Sequence, residues 1–147
     1  MYSKTVIDRF QNPRNAGGMH GANAIGQVGN AGCGDIMKMY LKINDSTLVI
    51  ENARFKTFGC CAAIASTDIV CDLVKGKTIE EALKISNKDV LDKLGELPAH
   101  KIHCSILAEE SVRAAVEDYY KRKEKETKQA LKKSKKQAAE TIEIDQE

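Results

Sequence analysis

In this chain of 147 residues, three thiols stand where short patterned segments begin or end. Cys33 and Asp35 flank Gly34 just ahead of an apolar run, Cys60 follows one run and opens another, and His103-Cys104 sits near the start of a third. No Cys-x-x-Cys spacing occurs, so neither a zinc knuckle nor a dithiol redox motif is written in the chain. Residues i and i+2 of an extended segment point to the same side, so Cys33 and Asp35 reach toward one point while Gly34 lets the backbone bend. Partial positive charge at a helix N-terminus favours thiolate, the form that binds metals and attacks sulfur. The two helix-start thiols, Cys60 and Cys104, therefore read as activated, and Lys101 adds to the effect.

Three thiolates with a carboxylate or an imidazole suit zinc or an iron–sulfur centre, and spacing alone does not separate the two. A carboxylate is harder than a thiolate and matches sulfide-bridged iron less well, so a cluster with Asp35 in its shell is expected to be held loosely. That favours handing a cluster on over transferring electrons. Cys71 lies 11 residues beyond Cys60, about 16 Å along a helix, and reads as core. Cys61, turned by about 100° from Cys60, reads as a small core residue, and His20 and His100 as surface. A catalytic Cys-His pair is the weaker reading. Adjacent helical residues project about 100° apart, and no oxyanion or substrate motif accompanies them. The chain is not expected to be an enzyme.

The elements that must place these groups follow from periodicity. Residues 2–11 carry Val6, Ile7 and Phe10 at helical spacing behind Ser3 as N-cap, and Asn12-Pro13 ends that helix. After a Gly-rich connector a strand is expected over Ala24–Gly29. The clearest strand is Asp35–Ile43, with Met37, Met39, Leu41 and Ile43 on one side. A turn at Asn44–Ser46 leads to its partner, Thr47–Thr57, and Phe58-Gly59 breaks it. Helices follow: Cys60–Lys75 closed by Gly76, a short one capped by Thr78, another capped by Ser86 and stopped by Gly95, and a last one behind Leu97-Pro98. Its stripe is Ile106, Leu107, Ala108, Val112, Ala115, Val116 and Tyr119. Three strands ahead of several helices predict an α+β domain, in which the thiol-bearing element ends can converge at one end of a small sheet.

The formal charge of +2 is unevenly spread. Residues 121–147 hold nine Lys or Arg against six Asp or Glu, which leaves −1 for the rest. A near-neutral body offers no electrostatic footprint for nucleic acid. Residues 126–147 are too poor in large apolar side chains to pack, so they read as a charged helical extension fraying into a mobile tail on a domain of residues 1–125. No secretory or membrane-spanning segment is visible, and cysteine usage fits a reducing, cytoplasmic setting.

At these residues the chain resembles the iron–sulfur cluster assembly scaffolds of the IscU family and the N-terminal domain of NifU. The likeness runs from Tyr2 to Lys121 through Tyr2-Ser3, NPRNAG at Asn12–Gly17, GCGD at Gly32–Asp35, FGCCAAIAS at Phe58–Ser66 and KIHCSILAEE at Lys101–Glu110. The resemblance implies a small three-stranded antiparallel sheet with helices packed on it and, near one end, a transient 2Fe-2S cluster on Cys33, Cys60 and Cys104, completed by Asp35 or His103; zinc is the alternative occupant that the donor types allow. It implies a cysteine desulfurase that delivers sulfur as a persulfide to Cys104, docking on the N-terminal helix and the ligand loops. It further implies apo-protein acceptors for the cluster, and it allows a homodimer. Three departures stand out: Ala99-His100 in LPAHK replaces the family's Pro-Val, Cys61 a small residue, and Arg9 a frequent His. The LPAHK segment is where a dedicated heat-shock chaperone docks in the family, so the usual use of that partner is not expected here.

Because helix geometry removes Cys71 from the site, Cys71→Ser is expected to take up iron and sulfide to the same visible absorbance as the unaltered chain. A folded variant that gains no colour would overturn the single-site reading.

Overall fold

The computed structural model describes residues 2–30, 34–95 and 97–145; Cys33 lies outside them. Helix α1 (Lys4–Gln11) starts at Ser3, whose Oγ accepts from the Val6 amide at 3.2 Å and donates to the Leu94 carbonyl. Strands β1 (Ala24–Asn30), β2 (Asp35–Ile43) and β3 (Ile50–Phe58) form one antiparallel sheet in that order. Helices α2 (Cys61–Val74), α3 (Ile79–Leu83) and α4 (Asn87–Leu94) follow, then a 3-10 turn at Ala99–Lys101 and α5 (Ile102–Asp145). The α+β class and the three-stranded antiparallel sheet are as the sequence predicts.

Alternation along β2 sets the core. Met37, Met39, Leu41 and Ile43 are at most 1% exposed, each burial worth about 1.5–3 kcal/mol relative to exposure. On that face Met39 Sδ meets Cys71 Sγ of α2 at 3.7 Å. Gly26 pairs with Met39 across β1 and β2, and a Cβ there would overlap the Ala115 amide nitrogen of α5. Helices α2 and α5 therefore share one face of the sheet, and a bare glycine lets α5 touch the β1 backbone.

Three elements differ from expectation. The β2–β3 turn is longer because Asn44 Oδ1 accepts from the Ser46 and Thr47 amides at 2.8 and 3.2 Å, so β3 starts at Ile50 rather than Thr47. Phe58 closes β3 instead of breaking it, with 73% of its surface exposed. The 3-10 turn is too short for periodicity to reveal. Helix α5 continues as one helix to Asp145, and Lys123 ties it to Asp45 of the β2–β3 turn at 2.7 Å.

A buried carboxylate joins the first fifteen residues to α2. Asp68 is fully buried; its Oδ1 accepts from the Arg14 amide at 2.9 Å, the Asn15 amide at 2.8 Å and Asn15 Nδ2 at 3.1 Å. Its Oδ2 accepts from Arg9 Nη1 at 2.8 Å. Asn15 Nδ2 also reaches Asp72 Oδ1 at 3.0 Å, and Lys75 donates to Asn15 Oδ1. Burial works against the charge on Asp72, but the bonds from Asn15 and Arg9 outweigh it and hold that carboxyl below its ordinary range. Arg9, the residue that departs from the family's frequent His, is thus the charge partner of both acids.

Asp68→Ala leaves the Arg14 and Asn15 amides without an acceptor and Arg9 with Asp72 alone, so it is expected to lose about 2–4 kcal/mol in urea unfolding. A loss below about 1 kcal/mol would show that the network is incidental.

Candidate metal centre

Three element ends meet at one end of the sheet. Asp35 opens β2, Cys60 is the N-cap residue of α2, and His103-Cys104 lies in the first turn of α5. Gly34 has φ +80°, a left-handed backbone that favours glycine, and a Cβ there would touch nothing within 4 Å. Conformation rather than crowding requires that glycine. Gly59 has the opposite reason. A Cβ on it would overlap Asp35 Oδ1 and lie 3.2 Å from Ala63 Cβ, so its bare Cα is the seat of the carboxylate.

The donor atoms are close. Cys60 Sγ and Cys104 Sγ lie 3.6 Å apart, Cys104 Sγ and His103 Nε2 3.6 Å, and His103 Nε2 and Asp35 Oδ2 3.3 Å. One ligand atom from each of Asp35, His103 and Cys104 falls within 4.8 Å of the others. His103 Nδ1 sits 3.1 Å from the His100 carbonyl, which can only accept, so the ring proton belongs on Nδ1. The Nε2 lone pair then faces a carboxylate oxygen. Two acceptors in contact are reconciled by a cation or a proton between them, and a fixed imidazole of this kind is a prepared metal ligand.

The donors are graded in exposure. Cys104 is fully buried, Cys60 half-buried, the Asp35 side chain 14% exposed and that of His103 50%. Burial pushes the Cys104 thiol up to about 12, with the neighbouring Cys60 and Asp35 adding to the rise and Lys101 opposing it. This runs against the expectation that a helix start activates Cys104, because the thiol is buried beside two acidic groups. The charge of Cys60 in turn raises the pKa of the Lys101 ammonium.

Of the residues singled out from sequence, Asp35, Cys60, His103 and Cys104 converge, while Cys33 lies outside the described residues. Cys71 is fully buried against Met39, and Cys61 packs on the core, its thiol raised by burial and then by Cys60. His20 and His100 are exposed. The expectation that His103 and Cys104 project apart fails, because the long imidazole swings back to within 3.6 Å of the sulfur. Two participants were not recognised from the residue pattern. Gly59 reads in the sequence only as the end of a strand. Tyr2 is half-buried near the thiols: burial first, then the charges of Cys60, Cys61 and Cys104, raise its phenol. Nothing local in the sequence marks either role.

The NifU-like N-terminal domain family matches residues 1–126. The chain is 50% identical over 122 residues to the iron-sulfur cluster assembly scaffold protein IscU 1 of Archaeoglobus fulgidus, covering 83% of this chain and 78% of that one. It is 49% identical over 126 residues to the scaffold protein IscU of Escherichia coli K12, covering 84% and 97%. In three dimensions it is similar to a nitrogen-fixing NifU-like protein (N-terminal) from Brucella abortus, with a TM-score of 0.66 at 17% identity, covering 81% of this chain and 94% of that one. At that identity the likeness speaks for the fold.

A methyl at Gly59 would displace the Asp35 carboxylate without touching the other donors. Gly59→Ala is therefore expected to weaken zinc binding to the metal-free protein by about 10-fold or more, measured by competition with a chromogenic chelator. Unchanged affinity in a folded variant would remove Asp35 from the donor set.

Proposed function

We propose that this chain, which belongs to the NifU-like N-terminal domain family, is a non-catalytic scaffold that assembles a labile 2Fe-2S cluster and passes it to apo-proteins. The observation that supports this most is the convergence of soft and hard donors from three distant segments at one partly open end of the domain. Cys33, Cys60 and Cys104 supply thiolates to the cluster, and Asp35 or His103 completes the set. The relatives named as cluster assembly scaffolds point the same way.

The donor chemistry explains why such a site releases its cargo. A cluster must be held by enough thiolate to survive and by few enough to be exchanged. Asp35 is a weak match for sulfide-bridged iron and sits where backbone can bend, so an incoming thiolate can take its place. Cys104 is the acceptor of sulfur from a cysteine desulfurase, and the recipients are apo iron–sulfur proteins. Among the described residues no helix is long and apolar enough to cross a membrane. The cytoplasm is the proposed setting, with the body ending near Lys125 and a charged extension beyond it. Zinc is the second reading, favoured by the tight grouping of Asp35, His103 and Cys104.

Anaerobic reconstitution with iron and sulfide separates the two readings. Visible charge-transfer absorption that then passes to an apo-ferredoxin supports the scaffold, and a colourless protein that retains zinc sinks it. In the same assay Asp35→Ala is expected to hold its cluster longer and transfer it more slowly. Faster loss would make Asp35 a structural ligand and remove the account of lability.

A further inference from the structure

The contact between Cys60 Sγ and Cys104 Sγ at 3.6 Å carries a chemistry of its own. A disulfide needs sulfurs about 2.0 Å apart, so a closure of about 1.5 Å is required, within the range of small side-chain torsions. Cys60 precedes α2 with extended backbone, φ −78° and ψ 172°, so no preceding helical turn restricts its side chain. Access is unequal: Cys60 is half-buried, whereas Cys104 has no exposed surface. A dissolved oxidant meets Cys60 first and finds Cys104 behind it. The other described thiols are badly placed to compete, since Cys71 is fully buried near the opposite end of α2 and Cys61 is the next residue along the backbone.

We propose that a hydroperoxide oxidant converts the metal-free site to a Cys60–Cys104 disulfide, a reversible lock that keeps cluster out until a dithiol reopens it. In the first step the Cys60 sulfur takes one oxygen from hydrogen peroxide, becoming a sulfenic acid, and the other oxygen leaves as water. In the second, the Cys104 sulfur attacks the Cys60 sulfur, and its proton leaves with the sulfenic oxygen as a second water. Two thiols lose two electrons and two protons, and one peroxide becomes two waters. Dithiothreitol reverses the bridge by exchange, ending as its own cyclic disulfide. The bridge withdraws two soft donors at once and leaves only Asp35 and His103 of the described set, too hard a pair for a cluster. It also shelters Cys60 from further, irreversible oxidation. The disulfide rests on geometry alone; its meaning as a lock rests on the scaffold reading.

The test uses the full chain, reduced, stripped with a chelator, exposed to stoichiometric hydrogen peroxide and alkylated without reductant. Mass spectrometry is expected to find the tryptic peptide Thr57–Lys75 joined to Ile102–Arg113. The link should persist in Cys61→Ser and vanish in Cys60→Ser and Cys104→Ala. Iron and sulfide uptake by the bridged protein should fall to the level of a sample without iron, and dithiothreitol should restore it. A bridge from Cys33 to either thiol, sulfinic acid at Cys60, or normal cluster uptake by the bridged chain overturns the proposal. A chain that bridges but takes up no cluster even when reduced overturns the lock together with the scaffold reading, leaving only a redox-active pair. A chain that loads when reduced but never bridges overturns the lock alone.

Discussion

A carboxylate kept out of water governs how this domain holds its shape. Asp68 sits in the middle of a mostly apolar helix, with no exposed surface, and would cost several kcal/mol there as an unpaired ion. Its four hydrogen bonds come from α1 and from the connector at Arg14 and Asn15, so α2 can bury that side chain only when both are in place. The direction of α2 is thereby tied to the first fifteen residues, and the N-cap of α2 is Cys60. Ser3 extends the same frame by bonding the end of α4. The position of one thiol at the candidate centre is thus set by a network about two turns further along its helix.

At the centre itself, the same loss of solvent acts on Cys104. Burial and two neighbouring acidic groups disfavour a thiolate there, and Lys101 only partly offsets them. A bound cation reverses that balance, because its own charge becomes the largest nearby. The contact of the His103 lone pair with the Asp35 carboxylate follows the same logic. Both features suit a site that receives a positive charge, with the anion-forming groups close together and the Lys101 ammonium near the thiols.

The legible parts of this structure were those coded over short distances along the chain. Alternation in Asp35–Ile43 revealed β2 to the residue, and the Ser3 cap, the left-handed Gly76 and the start of α2 follow from local chemistry. The convergence of Asp35, Cys60, His103 and Cys104 was readable because each lies at an element boundary, where side chains gather at the end of a sheet. What stayed hidden depends on partners far away in sequence. Asp68 bonds residues 53 and 59 positions distant, and only its place within an apolar helix hints that it is special. The role of Gly59 belongs to the Asp35 side chain and not to its own segment. The direction of the Cys104 shift was misjudged for a related reason: a helix dipole is visible in sequence, and burial is not.

The donors of the centre are also far apart along the chain, 68 residues from Asp35 to His103 and 44 from Cys60 to Cys104. Contacts of that span close large loops and so cost more chain entropy than the hairpin and the local helices. The centre is then a checkpoint on completion: a half-folded chain has thiols but no binding geometry. Any ion that enters the finished centre closes those loops a second time, and the closure raises the stability of the entire domain by mass action. Thermal unfolding of the whole body thus becomes a gauge of occupancy at one end of it.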